Sequence, residues 1–302
     1  MRISPLLYMI AIAIGLWLPQ AARWASLLVL PALTIALTVA LLRFPGGFFK
    51  NPRVLLPGAL WGNLMNYLIL GNLILLGGIF LIRHENFWIG LVMIAAVPSA
   101  LAVLPLGEKL GADQRLTLNG FAGTYLGALI LIPLLGAAFL RYCPMPCEKL
   151  VILVVALILL PLLLSRVAVD RNWDERIHRR EGAISDGCLF IIFYAVAAGN
   201  ARLIRQGPSE LIFILVLAFA AMLLITVALL LTGRFFKLPR SRISSLLLLG
   251  TMKNCGLAAG IALYAVNDEA AVPALIFSIF IFLNGLWLWL WRKGLERRFY
   301  RA

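Results

Sequence analysis

The chain has 302 residues, 63% hydrophobic and only 13% charged; soluble domains average about 45–50% and about 25%, so one water-soluble core is excluded and lipid must be its solvent. A formal net charge of +14 does not signal a nucleic-acid binder, because Lys and Arg fall in short clusters between apolar runs, with no basic stripe of interleaved aromatics. What remains is an all-α membrane protein, read as a single transmembrane domain over 1–302 because no linker rich in Pro, Gly or Ser divides it.

A hydrocarbon layer of about 30 Å takes roughly 20 residues of helix. Spans are predicted, in chain order, at Pro5–Pro19, Trp24–Leu42, Val54–Ile82, Phe87–Leu106, Leu116–Leu140, Leu150–Val169, Ala183–Asn200, Ser209–Thr232, Ile243–Val266 and Ala270–Trp291. The first is short, and Arg2 before it with Ala21 and Ala22 after it imitates a signal peptide. It is read as a retained helix, because the next span follows almost at once.

The connections test this count independently. Taken alternately, they place twenty Lys and Arg on one side and six on the other, with Lys253 inside a span. A missed span would scramble that asymmetry. The positive-inside rule then predicts an even number of spans, both termini in the cytoplasm, and a multi-pass protein of the cell (inner) membrane. On that orientation Cys143 and Cys147, in the RYCPMPCEK loop, lie outside the cytoplasm. There they admit either a disulfide or a metal site, although no other ligand cluster is near and Pro144 and Pro146 restrict the geometry.

Two spans carry breaks. In the fourth, AAVPSALAVLPLG places Pro98 near the middle, with Ser99 beside it and Pro105 one or two turns on. In the ninth, LLGTMKNCGLAAG sets Gly250, Gly256 and Gly260 around the polar Thr251, Lys253 and Asn254. Irregular backbone at membrane depth is tolerated where it lines a cavity or is packed in protein. Paired interruptions at matching positions of two halves point to a transport site. The halves, about 1–142 and about 148–302, hold five spans each, an odd number that implies opposite insertion. Simple kinks and small-residue packing are the plainer account of Pro and Gly in such helices.

Lys253 is the most informative residue. An ammonium at a helix centre costs on the order of 2.5–3.5 kcal/mol on insertion scales, and this one lies too deep to snorkel. The nearest carboxylate by sequence reasoning is Asp186, near the start of span seven. A functional cation here holds an anion, replaces a bound cation or carries a proton; the structural alternative is a lysine bonded to helix-end carbonyls. Other intramembrane polar residues are Asn63, Asn66 and Asn72 in span three, Thr117, Asn119 and Thr124 in span five, Asn200 and Asn284. Such groups line paths in some membrane proteins and simply bond neighbouring helices in many others.

These motifs resemble the bile acid:sodium symporter family. The likeness runs through GLWLP, LPALTIALTVALLRFPGGFFKNPR, the segment leading to LGEKLGADQRLTL, and GTMKNCGLAAGIAL. It implies ten helices in two inverted five-helix repeats, with helices four and nine unwound where they cross. Family members typically carry Glu-x-Gly-x-Gln-Asn in helix nine. Asn254 matches that motif, but Leu249 replaces the sodium-binding Glu and Lys253 replaces the Gln. The family's Ser-Asn pair after the proline of helix four falls at about Val103 and Leu104, and Thr117 and Thr124 are candidate surviving hydroxyl ligands. Pro98, Ser99, Thr117, Asn119, Thr124, Thr251, Lys253 and Asn254 therefore form the candidate substrate- or ion-binding set.

The function expected is a secondary carrier of a small organic anion, independent of sodium or linked to protons, because a nearby ammonium repels sodium. A sodium-coupled symporter of bile-acid-like or other organic anions is the alternative, followed by a channel or receptor with a transporter fold. An intramembrane enzyme is disfavoured, since His84 and His178 and most acidic residues lie in loops. No Gly-x-x-x-x-Gly-Lys loop for ATP occurs. Neither a cofactor nor a nucleic-acid partner is expected; the partners are the bilayer and the anion.

Overall fold

A computed structural model describes residues 5–44, 52–139, 147–173, 177 and 179–299. Apolar stretches become helices because the lipid core offers no partner for free backbone groups. The chain begins with α1 (Pro5–Trp17) and α2 (Ala22–Leu41). Next, α3 (Pro52–Asn63) runs through a π-helical stretch (Leu64–Gly71) into α4 (Asn72–Leu81). The fourth predicted span is split into α5 (Glu85–Ala96) and α6 (Val103–Leu110), followed by α7 (Gln114–Phe139). Then come α8 (Cys147–Asp170), α9 (Glu181–Gly199), the short α10 (Ala201–Gln206) and α11 (Ser209–Phe235). The ninth predicted span is also split, into α12 (Arg240–Thr251) and α13 (Cys255–Ala265), and α14 (Val272–Phe299) ends the described chain.

Among the described residues, six helical stretches are long and apolar enough to cross a bilayer: Pro19–Leu41, Pro52–Leu81, Gln114–Phe139, Leu150–Asp170, Glu181–Gly199 and Ser209–Phe235. The other predicted spans appear as shorter apolar helices, including Leu7–Trp17, Glu85–Ala96 and Cys255–Ala265. Two of these three are halves of the broken spans. The cysteine pair falls at the edge of the description: Cys143 lies outside the described residues, as does the side chain of Cys147.

The helices pack as two groups. In one, α9 runs along α1 and α2, and α8 lies against α2. In the other, α3 lies along α7, while α5, α6 and α11–α14 pack around them. At Gly62 in α3 a Cβ would collide with the backbone of Gly120 in α7, so only glycine lets these two helices approach so closely. The groups meet chiefly where α13 touches α2 and α9, and where α7 lies beside α8. At Gly260 of α13 the side chain of Leu33 fills the space a Cβ would need.

Candidate functional site: the crossing of two broken helices

Each break has a local cause. Pro98 has no N–H to donate and forces Val97 before it into extended backbone, at φ −75° and ψ 155°, so α5 stops there. Pro105 falls within the first turn of α6, where a missing N–H costs little. In the ninth span the unwound part is short: Met252 is extended at φ −114° and ψ 103°, and Asn254 is non-helical. Asn254 then restarts the helix as its N-cap, its side-chain oxygen accepting from the Leu257 N–H at 3.1 Å.

The unwound segments cross and satisfy each other. Ser99 and Lys253 form an isolated antiparallel bridge, the only such bridge among the described residues. It is flanked by the Ala100 N–H donating to the Met252 carbonyl at 3.0 Å and the Asn254 N–H donating to the Pro98 carbonyl at 2.8 Å. Backbone groups freed by unwinding are thereby paired without water.

Lys253 is 1% exposed, and its ammonium is fully committed. It donates to Asn66 Oδ1 at 2.8 Å, the Ala95 carbonyl at 2.7 Å and the Val97 carbonyl at 3.0 Å. These three bonds use all three of its donors. The face of Tyr67 lies beneath it, 4.5 Å from ring centroid to Nζ. Two of the acceptors are C-terminal carbonyls of α5, the negative end of that helix dipole. No ion pair between Lys253 and a carboxylate occurs among the described residues. Asp186, the partner suggested by sequence, is elsewhere: it accepts the Tyr8 hydroxyl at 2.6 Å.

A ring of buried polar side chains holds this arrangement. Asn66 Nδ2 donates to Ser99 Oγ at 3.0 Å and to the Leu249 carbonyl at 3.4 Å, so one amide ties span three to both breaks. Thr124 Oγ1 accepts from the Ser99 N–H at 3.2 Å, and its carbonyl accepts the Tyr67 hydroxyl at 2.6 Å. Asn254 Nδ2 donates to the Tyr125 hydroxyl at 2.9 Å, and Asn284 Nδ2 donates to Thr251 Oγ1 at 2.9 Å.

The crossing therefore gathers Pro98, Ser99, Thr124, Thr251, Lys253 and Asn254 from the sequence set. It does not gather the other two. Thr117 bonds Ser245 Oγ at 2.9 Å and the Asp113 carbonyl at 2.7 Å, toward the start of α7. Asn119 donates to the Val54 carbonyl at 2.9 Å, fastening α7 to α3. Val103 and Leu104 begin α6, and the hydroxyl that faces the crossing from the fourth span belongs to Ser99. Asn66, Tyr67 and Tyr125 join the site although the sequence set omits them. Asn66 and Tyr67 sit in the π-helical stretch, a local widening frequent at functional sites.

Broken half-helices meeting inside a helical bundle, with polar side chains converging on them, define the class of membrane transporters with discontinuous helices. The chain belongs to the SBF-like CPA transporter family, whose family model matches residues 5–288. No curated protein matches it.

Proposed function

We propose that this protein is a secondary transporter of a small organic anion, working by alternating access without sodium, with the Lys253 ammonium in the position of a coupling cation. The supporting observation is the oxygen cage around Nζ, where Asn66 Oδ1 and the carbonyls of Ala95 and Val97 lie at 2.7–3.0 Å. Carbonyl and amide oxygens are the ligands hard cations take. Here a tethered ammonium fills that role, and a free cation would have to displace it. Transport is then either uncoupled or linked to protons through Lys253 itself.

Electrostatics favour an anion. Lys253 covers the negative end of α5, while the positive ends of α6 and α13 begin beside it with no carboxylate bonded there among the described residues. In this reading the ten predicted spans form two inverted five-helix repeats in the inner membrane. The group containing the crossing rocks against α1, α2, α8 and α9, and the Lys- and Arg-rich ends face the cytoplasm.

The test is thermal stability of the purified protein against a panel of small organic anions, in sodium and in choline, with Lys253→Ala alongside. A ligand that binds only the folded state raises stability according to its concentration over its dissociation constant. The expected result is an anion that stabilises the wild type equally in both salts and fails with Lys253→Ala. Stabilisation of the wild type that requires sodium would replace this reading with a sodium-coupled symporter.

A further inference from the structure

A second charged cluster lies away from the crossing, and the crossing chemistry does not use it. Arg43 follows α2 and points to two carboxylates. Its Nε and Nη2 donate to Glu181 Oε1 and Oε2 at 2.7 and 3.2 Å, and its Nη1 donates to Glu108 Oε1 at 2.8 Å. Glu181 opens α9, in the same helical group as α2. Glu108 is in α6, the second half of the broken fourth span and part of the other group. One guanidinium thus joins the two helical groups.

Its two attachments differ in kind. Toward Glu181 the fork is bidentate, and the glutamate side chain is only 8% exposed, so that contact is firm. The Glu108 side chain is 56% exposed and holds one bond, the kind that solvent screens and thermal motion breaks readily. Arg166 secures the segment from the other side, donating to the carbonyls of Leu41 at 2.7 Å and Phe44 at 2.9 Å. Arg43 is therefore anchored on one group and releasable from the other.

Beneath the ion pair lies a cleft of about 140 Å³, lined by Arg43, Gly107, Glu108, Gln114 and Thr117 among others. Beyond it an aromatic series leads inward: Phe44 lies 6.0 Å from Phe121, Phe121 lies 4.7 Å from Tyr125, and Tyr125 bonds Asn254 at the crossing. Phe44 belongs to one group and Phe121 to the other, so the contact closes this end of the seam. The cluster is poorly suited to holding an anion itself, because the guanidinium already faces two carboxylates and its bonds to them are made.

We propose that the Arg43–Glu108 ion pair is a gate between the two helical groups, closed in this structure, which opens by releasing Glu108 while Arg43 stays on Glu181. This rests on the alternating-access reading above, and it places the gate at the end of the seam from which Phe44, Phe121 and Tyr125 lead to Lys253.

The experiment uses Thr117→Cys, a buried reporter in the cleft, in purified protein whose native cysteines are replaced. The rate of maleimide labelling is measured with Glu108 intact, with Glu108→Gln and with Glu108→Asp. Glu108→Gln is expected to speed labelling about two- to fivefold, the range set by loss of one partly exposed ion pair, and Glu108→Asp less. Because Glu108 is largely exposed, both variants should fold; equal elution volume and melting temperature would verify that. Equal labelling rates in all three well-folded proteins would overturn the gate. Labelling needs no substrate, so the outcomes separate: faster labelling with no stabilising anion leaves the gate standing and removes the anion reading. An anion hit with unchanged labelling does the reverse.

Discussion

Lys253 and Arg43 are both cations held inside a helical membrane protein, yet their partners differ completely. Lys253 is buried and bonded only to neutral oxygens, two of them at the end of its own crossing partner α5. Arg43 is bonded to two carboxylates, one buried and one exposed. Charge on an ammonium surrounded by neutral dipoles is still available to the field around it, whereas a guanidinium between two glutamates is neutralised on the spot. The first arrangement suits an element that stays in place at the crossing. The second suits a contact made and broken as helices move. The contrast also explains the residue types: a compact ammonium fits an oxygen cage, and a planar fork fits a bidentate carboxylate.

The sharpest way to break this comparison is to return the crossing to the pattern its family resemblance implies. Leu249→Glu with Lys253→Gln replaces the tethered cation by an amide beside Asn66 and the α5 carbonyls, and puts a carboxylate at the buried residue whose backbone carbonyl already accepts from Asn66 and whose side chain packs at Gly120 of α7. Melting temperature in sodium should then exceed that in choline, by an amount that grows with sodium concentration, while the wild type shows no difference. Lys253→Ala alone leaves three buried acceptors without their donor and should cost on the order of 3 kcal/mol in choline. If the double variant melts identically in both salts, the oxygens around Nζ do not constitute a cation site.

A smaller effect is expected at the second cation. Glu181→Gln removes half of the bidentate grip on Arg43, so the guanidinium's anchor is weakened while the bond to Glu108 remains. The loss of stability should be about 1–2 kcal/mol, larger than for Glu108→Gln, whose ion pair is screened and worth less than about 1 kcal/mol. Melting temperatures of the two variants decide it. The reverse order would mean that the exposed carboxylate is the anchor and that the direction of release has been misassigned.

The two regions also differ in how far they could be read from sequence. Pro98 and the Thr251–Asn254 segment marked both breaks, because the two interruptions fall at matching positions of the two halves, which simple kinks would not require. Lys253 announced itself by cost alone. Its partners did not, since two are backbone carbonyls and any residue carries those; only the fold says which come within 3 Å. Asn66 was visible as one polar residue among several in span three, and the π-helical widening that orients it has no composition signal. Asp186 was the natural guess for a missing counter-charge, and the structure gives it to Tyr8. Arg43 lay in a quoted motif, but its partners are 65 and 138 residues away, beyond the reach of local pattern. Ten spans were expected from hydropathy, whereas six stretches among the described residues meet the length and apolarity needed; spans four and nine fall short because each break divides its apolar residues between two short helices, and span one because its helix has only 13 residues.

Helix geometry accounts for the two site residues that fall elsewhere, and supplies the mildest test. Thr117 and Thr124 are two turns apart, on one face of α7 but about 10 Å apart along its axis, so only one of them can lie level with the crossing. Thr124 does, through the Ser99 N–H. Asn119 projects from a different face, two residues on from Thr117, and reaches Val54 in α3. Asn119→Ala should therefore cost about 1 kcal/mol for the lost bond and leave any anion- or sodium-dependent shift in melting temperature where it is in the parent protein. Thr124→Val, which takes the acceptor from the Ser99 N–H at the crossing, should change those shifts. Were Asn119→Ala to abolish ligand-dependent stabilisation and Thr124→Val to spare it, the working surface of α7 would be its α3-facing side, and the crossing would be a structural joint rather than the binding site.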